Sequence, residues 1–194
     1  MATEKRKYRV LVAGGGDKLY DYICENLPRG DYGPILRAGD AGEARRLLLD
    51  SPADIVIINA PLADEFGVEL ALDLAEGIAG ILLLVKNEVY DQVCAQVEDS
   101  GVLTLGKPTT RQGFYTAVRL LTAMTARLSK LEKVNQSLQE KMADIRVVNR
   151  AKWLLMEHHH MKEQDAHYFI EKQAMDMRLP RRQVAENIIR SYDF

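Results

Sequence analysis

A chain of 194 residues with 26 Lys+Arg, 28 Asp+Glu and a 47% hydrophobic share is too apolar for global disorder, and it allows one large domain or two small ones. No run approaches the roughly 18 apolar residues of a membrane span, and the charged start MATEKRKYRV lacks the apolar stretch of a signal peptide, so a soluble, cytoplasmic protein without membrane contact is expected. Cys24 and Cys94 show no CxxC or Cys/His ligand spacing, which leaves no disulfide framework and no zinc site, and both thiols are expected to stay reduced.

The net charge of −2 is unevenly placed. Residues 1–108 carry 11 Lys+Arg and 18 Asp+Glu, a charge of −7, whereas residues 109–194 carry 15 and 10, a charge of +5. Such asymmetry indicates halves with different tasks. In the acidic half, the apolar runs Tyr8–Ala13, Pro34–Arg37, Asp54–Ile58, Ile81–Val85 and Val102–Leu105 read as strands. Between them, Leu19–Leu27, Ala41–Leu49, Val68–Leu74 and Val89–Val97 read as helices. The alternation predicts βαβ units and a five-stranded parallel sheet, an α/β doubly wound domain of flavodoxin-like type over residues 1–120. Gly14-Gly15-Gly16 follows the first strand but matches neither GxGxxG nor GxxxxGK[ST]. It reads as a turn, at an edge where such sheets bind small ligands.

Beyond Lys107-Pro108 there is no proline before Pro180 and the only intervening glycine is Gly113, a helical composition. Leu121, Met124, Leu128, Leu131, Asn135, Leu138, Met142 and Ile145 alternate gaps of three and four, an a/d heptad seam over residues 121–145. Asn135 falls at an a position, the usual register device of a parallel dimer, so a homodimeric coiled coil is predicted. An amphipathic helix folded back on the first domain is the other solution for this pattern.

Residues 146–194 predict a small all-α domain of three helices: the end of the connector to about Glu157, then Glu163–Met177, then a helix from Pro180 to Arg190. Arg146, Arg150, Lys152, Lys172, Arg178, Arg181, Arg182 and Arg190 supply candidate phosphate contacts. Tyr168 offers a stacking surface for an unpaired base, and Ala174-Met175 fits either a small apolar platform or core packing at helical spacing. Trp153 fits a core position, a dimer contact or a stacking residue, and His158-His159-His160 reads as a helix terminus. Nowhere does a nucleophile–base pair or metal cluster emerge, so neither an enzyme nor a bound cofactor is expected.

Two family resemblances follow. The order YRVLVA, AGDAGEARRLLLD, ADIVIINAPL and GVLTLGKP resembles the receiver domain of bacterial response regulators, over about residues 7–120. That resemblance implies an acidic Mg²⁺-binding pair, an acceptor Asp, a Thr/Ser and a Lys at the C-terminal sheet edge. Here the pair falls on Gly14 and Gly15, the acceptor on Asn59, the hydroxyl position on Val85 and the aromatic position on Thr104. Lys107 alone is retained; Asp17 and Asp64 are the nearest other carboxylates, and no metal site is expected. The reading is a pseudo-receiver, taking its control from a regulatory protein or small ligand. The second half resembles the ANTAR domain of transcription antitermination regulators, through Arg146, Ala151-Lys152, Leu155-Met156, Ala166, Ala174-Met175 and Val184-Ala185. That resemblance implies a dimer that binds RNA, recognising paired hairpins in a transcript leader. Trp153 stands where the family has a small residue, Glu171 where it has Arg, and Lys162 where it has a capping Ser/Thr.

Overall fold

A computed structural model describes residues 7–192 of the chain. The outer ends of the expected domains, residues 1–6 and 193–194, lie outside the described residues. Strands β1 (Tyr8–Ala13), β2 (Tyr32–Ala38), β3 (Ile55–Asn59), β4 (Gly80–Lys86) and β5 (Leu103–Lys107) form one parallel sheet in the order β2-β1-β3-β4-β5. The near-continuous Val/Ile/Leu composition of the inner strands follows from burial on both faces. Alternate residues serve opposite layers: Leu11, Ala13, Val56, Ile58, Leu83 and Val85 face one way, and Val10, Val12, Ile55, Ile57, Leu82 and Leu84 the other.

Helices α2 (Ala41–Asp50), α3 (Val68–Ala75) and α4 (Tyr90–Val97) cover the first layer with Ala44, Leu70, Ala71, Val93 and Val97. Helix α1 (Asp17–Asn26) and the start of α5 (Arg111–His159) cover the second with Ile23, Phe114, Val118 and Leu121. The strand order reverses at β1 and β3, which places the loops after these strands around the edge where such folds hold their sites.

Helix α5 runs 49 residues without a break at the expected boundaries after 120 and 145. The chain divides into two compact units between Lys130 and Leu131. In the second unit, α6 (Glu163–Met177) and α7 (Arg181–Tyr192) close on the last part of α5. Ala151 and Leu155 of α5, Ala166, Ile170 and Ala174 of α6, and Val184 and Ala185 of α7 form its core. Helix α7 begins one residue later than the sequence suggests, because the Pro180 carbonyl accepts from Gln183 and Val184 and so caps the helix rather than opening it. Lys162 precedes α6 without any side-chain cap. Arg178 ends α6 at φ 53°, a left-handed conformation usually given to glycine.

Candidate functional site

At the sheet edge, Lys107 leaves β5 and donates from Nζ to Asn59 Oδ1 at 2.6 Å and to the Ala60 carbonyl at 2.7 Å. Burial pulls the Lys107 ammonium below the usual lysine range, and the like charge of Lys86 adds to this. Both of its acceptors are uncharged oxygens of an amide group, so no carboxylate offsets the desolvation there.

The loop after β1 is closed to larger residues. Gly14 and Gly15 sit at φ +76° and +85°. A Cβ on Gly14 would lie 2.4 Å from Leu62 Cδ2, and one on Gly15 would lie 2.7 Å from Leu19 Cδ2. Leucine methyl groups therefore occupy the space where a side chain at either position would start. Val85 is fully buried, and Thr104 is buried with no partner for its hydroxyl among the described residues.

The two nearby carboxylates have other employment. Asp17 pairs with Arg37, and Asp64 accepts from the Ala41 and Gly42 amides at 2.9 and 3.0 Å, at the start of α2. Those two backbone hydrogen bonds hold the Asp64 carboxyl below its ordinary range. Among the described residues, no group of three or more His, Cys, Asp or Glu is placed to hold a metal ion.

Along α5, the expected seam separates into two parts. Leu121 is 2% exposed and packs with Phe114 and Val118, so it belongs to the core of the first unit and not to an outward stripe. Met124, Leu128, Leu131, Leu138, Met142 and Ile145 are all exposed large apolar side chains, and Asn135 between them is exposed too.

Lys152, Arg181 and Arg182 are paired with acids of the second unit. Lys152 donates to Glu163 at 2.9 Å; Arg181 donates to Glu171 at 2.8 Å; Arg182 donates to Asp144 and Glu186, both at 2.9 Å. Lys152 correspondingly holds the Glu163 carboxyl low, and Glu186 and Asp144 push the Arg182 guanidinium up. Lys152, Arg181 and Arg182 also line a groove of about 470 Å³ with Lys141, Asn149 and His167. On α6, Tyr168, Lys172 and Met175 are exposed, and steps of four and three residues place them on one face. Ala174, one residue away, turns inward and is 8% exposed, so the core claims it and the apolar platform loses one member. Arg146 and Arg150 are exposed on α5, as Arg190 is on α7, and Arg178 occupies the left-handed end of α6.

Sequence reasoning missed the acidic partners Asp144 and Glu163. Both meet their cations through tertiary packing, 38 and 11 residues apart in the chain. Arg182–Glu186, spaced i,i+4 on one helix, carries a local signal.

Comparison with known proteins bears on both units. Residues 136–189 match the ANTAR domain. Over 183 residues the chain is 30% identical to the transcriptional regulatory protein PdtaR of Mycobacterium tuberculosis, spanning 93% of this chain and 89% of that one. It is 28% identical over 145 residues to the aliphatic amidase regulator of Pseudomonas aeruginosa, 72% of each chain. Among solved structures, the signal receiver domain of an HD domain-containing protein from Pseudomonas fluorescens superposes with a TM-score of 0.59 at 22% identity, over 67% of this chain and 97% of that one. The chemotaxis response regulator CheY4 of Vibrio cholerae does so with a TM-score of 0.51 at 17% identity, over 61% and 99%. These superpositions establish the receiver fold of the first unit, and the two sequence relatives are regulators by name. A receiver-fold domain followed by an ANTAR domain, in a chain 30% identical to a transcriptional regulator over 93% of its length, identifies the chain as a member of the ANTAR family of response regulators, the transcription antitermination regulators.

Proposed function

We propose that this regulator works as a homodimer, binds RNA hairpins of a transcript leader through its second unit, and is not switched by aspartate phosphorylation. In this reading residues 1–120 receive the signal, 121–145 pair two chains, and 146–194 bind RNA. The observation that carries the RNA assignment is the outward face of α6, where Tyr168, Lys172 and Met175 stand exposed together inside the ANTAR match. A flat ring, a cation and a soft apolar side chain suit an unpaired base and its phosphate. Arg146, Arg150, Lys152, Arg178, Arg181 and Arg182 add positive charge on the same unit.

Support for the dimer comes from the exposed apolar stripe from Met124 to Ile145, with Asn135 as its single polar member. Independence from phosphorylation rests on Asn59, whose amide cannot form an acyl phosphate, and on the leucines that fill the acid positions. Control then falls to a protein or small ligand that contacts the receiver-fold domain.

A competing reading, a protein-interaction module that binds no RNA, draws on the internal pairing of Lys152, Arg181 and Arg182 with acids. Titration of a tandem-hairpin RNA against a random RNA of equal length decides between them. Preferential binding with a steep salt dependence supports the regulator reading, and equal binding to both RNAs supports the other.

A further inference from the structure

Trp153 is the chain's single tryptophan, and it is 61% exposed. Its neighbours Ala151 and Leu155 on α5 are buried in the core of the second unit, so the ring stands on the opposite side of the helix from the packing. Steps of four and three residues put Arg146, Arg150 and Trp153 on one face of α5, and Glu157 follows four residues later. Arg146 and Arg150 are themselves exposed. The groove residues Asn149 and Lys152 immediately precede Arg150 and Trp153, so this face lies about 100° around the helix from the groove wall.

We propose that Trp153 is a stacking platform for an unpaired RNA base, whose neighbouring phosphates meet Arg146 and Arg150. The proposal rests on the RNA-binding reading and adds to it a contact made by a side chain that departs from the family pattern. An exposed indole on a helix face that also carries two arginines matches the chemistry of single-stranded nucleic acid, where a flat ring replaces the lost neighbour base and cations meet the backbone. A duplex offers no such partner, because its bases are already stacked on one another.

The other occupant, a second copy of this chain, is disfavoured by the heptad register. Asn149 and Lys152 hold the a and d positions that follow Met142 and Ile145, so the apolar seam ends before Trp153.

Because the chain has one tryptophan, its emission reports this position alone. The experiment titrates the full-length protein with an RNA carrying two stem-loops, and with a fully paired duplex of equal length. Binding is followed by anisotropy of labelled RNA and by indole fluorescence. We expect the stem-loop RNA to quench the emission at the same midpoint as the anisotropy, and the duplex to leave it unchanged. Trp153→Phe should bind within about threefold of the parent, and Trp153→Leu about tenfold more weakly with an unchanged circular dichroism spectrum. Stem-loop binding with constant emission and full affinity in Trp153→Leu overturns the platform and leaves the RNA reading intact. Emission that follows protein concentration without RNA assigns Trp153 to a second copy and also overturns it. Absence of any RNA binding overturns both.

Discussion

At the scale of single residues, Lys152, Arg181 and Arg182 of the second unit are paired with its own acids. Glu171 accepts from Arg181 and lies 3.4 Å from His167, on the helix that presents Tyr168, Lys172 and Met175. Replacing it with glutamine removes one negative charge from the face and frees Arg181. Glu171→Gln should therefore tighten RNA binding severalfold at ~0.1 M salt, with the gain shrinking as salt rises. Because exposed ion pairs contribute little to folding, its urea midpoint should hardly move. Unchanged affinity in a salt-resolved anisotropy titration would show that Glu171 lies off the RNA path. Arg178 makes a different prediction, since its backbone is left-handed at φ 53°. Arg178→Gly should stabilise the protein by about 1 kcal/mol in urea unfolding while weakening RNA binding through the lost cation. A variant that loses stability would contradict the assignment of strain there.

Elements show how local chemistry fixes the frame of the site. Helix α2 is capped by Asp40, whose carboxylate accepts from the Glu43 amide at 2.7 Å, while the Glu43 carboxylate accepts from the Gly39 amide at 2.7 Å. Asp64, from the loop after β3, adds two more acceptor contacts to the same helix start and so ties that loop to α2. Because the folded carboxyl of Asp64 titrates below its unfolded value, its contribution is present above the unfolded value and is lost as pH falls through the lower folded one. Asp64→Ala should accordingly lower the urea midpoint at pH 7, with the difference closing in strong acid. A difference that persists unchanged at low pH would assign its role to packing instead. In α5, Leu138 lies inside the exposed stripe and outside both cores. Leu138→Lys should leave the helical content intact and shift sedimentation from dimer to monomer at micromolar concentration. A parent chain that is already monomeric there would contradict the coiled coil.

Across the whole molecule, the sheet was the most legible part, because strands buried on both faces write themselves as unbroken Val/Ile/Leu runs. Strand ends were less so: β5 extends to Lys107, since its pairing with β4 is tertiary information. The heptad count placed Leu121 on the seam, although Leu121 packs under the sheet; a 3,4 spacing looks the same whether a receiver core or a second chain covers it. Ala174 and Met175 were ambiguous for a related reason, being adjacent on a helix whose buried side only α5 and α7 decide. Gly14 and Gly15 are legible in the sequence as a glycine turn, whereas the Leu62 and Leu19 methyl groups that would meet a Cβ there became visible only in three dimensions.

The charge division of −7 and +5 gains its meaning at this largest scale, as a receiver-fold domain joined to an ANTAR domain. On the proposed function, two chains paired along α5 read RNA hairpins together. The most direct test compares the parent chain with Leu138→Lys on RNAs carrying one hairpin or two. Two linked binding events raise apparent affinity through effective concentration, by about a hundredfold for a well-matched spacing. The parent should therefore bind the tandem RNA far more tightly than the single hairpin, and Leu138→Lys should bind both alike, at the parent's single-hairpin affinity. Equal affinity of the parent for one hairpin and two, or an undiminished tandem preference in Leu138→Lys, would contradict the account.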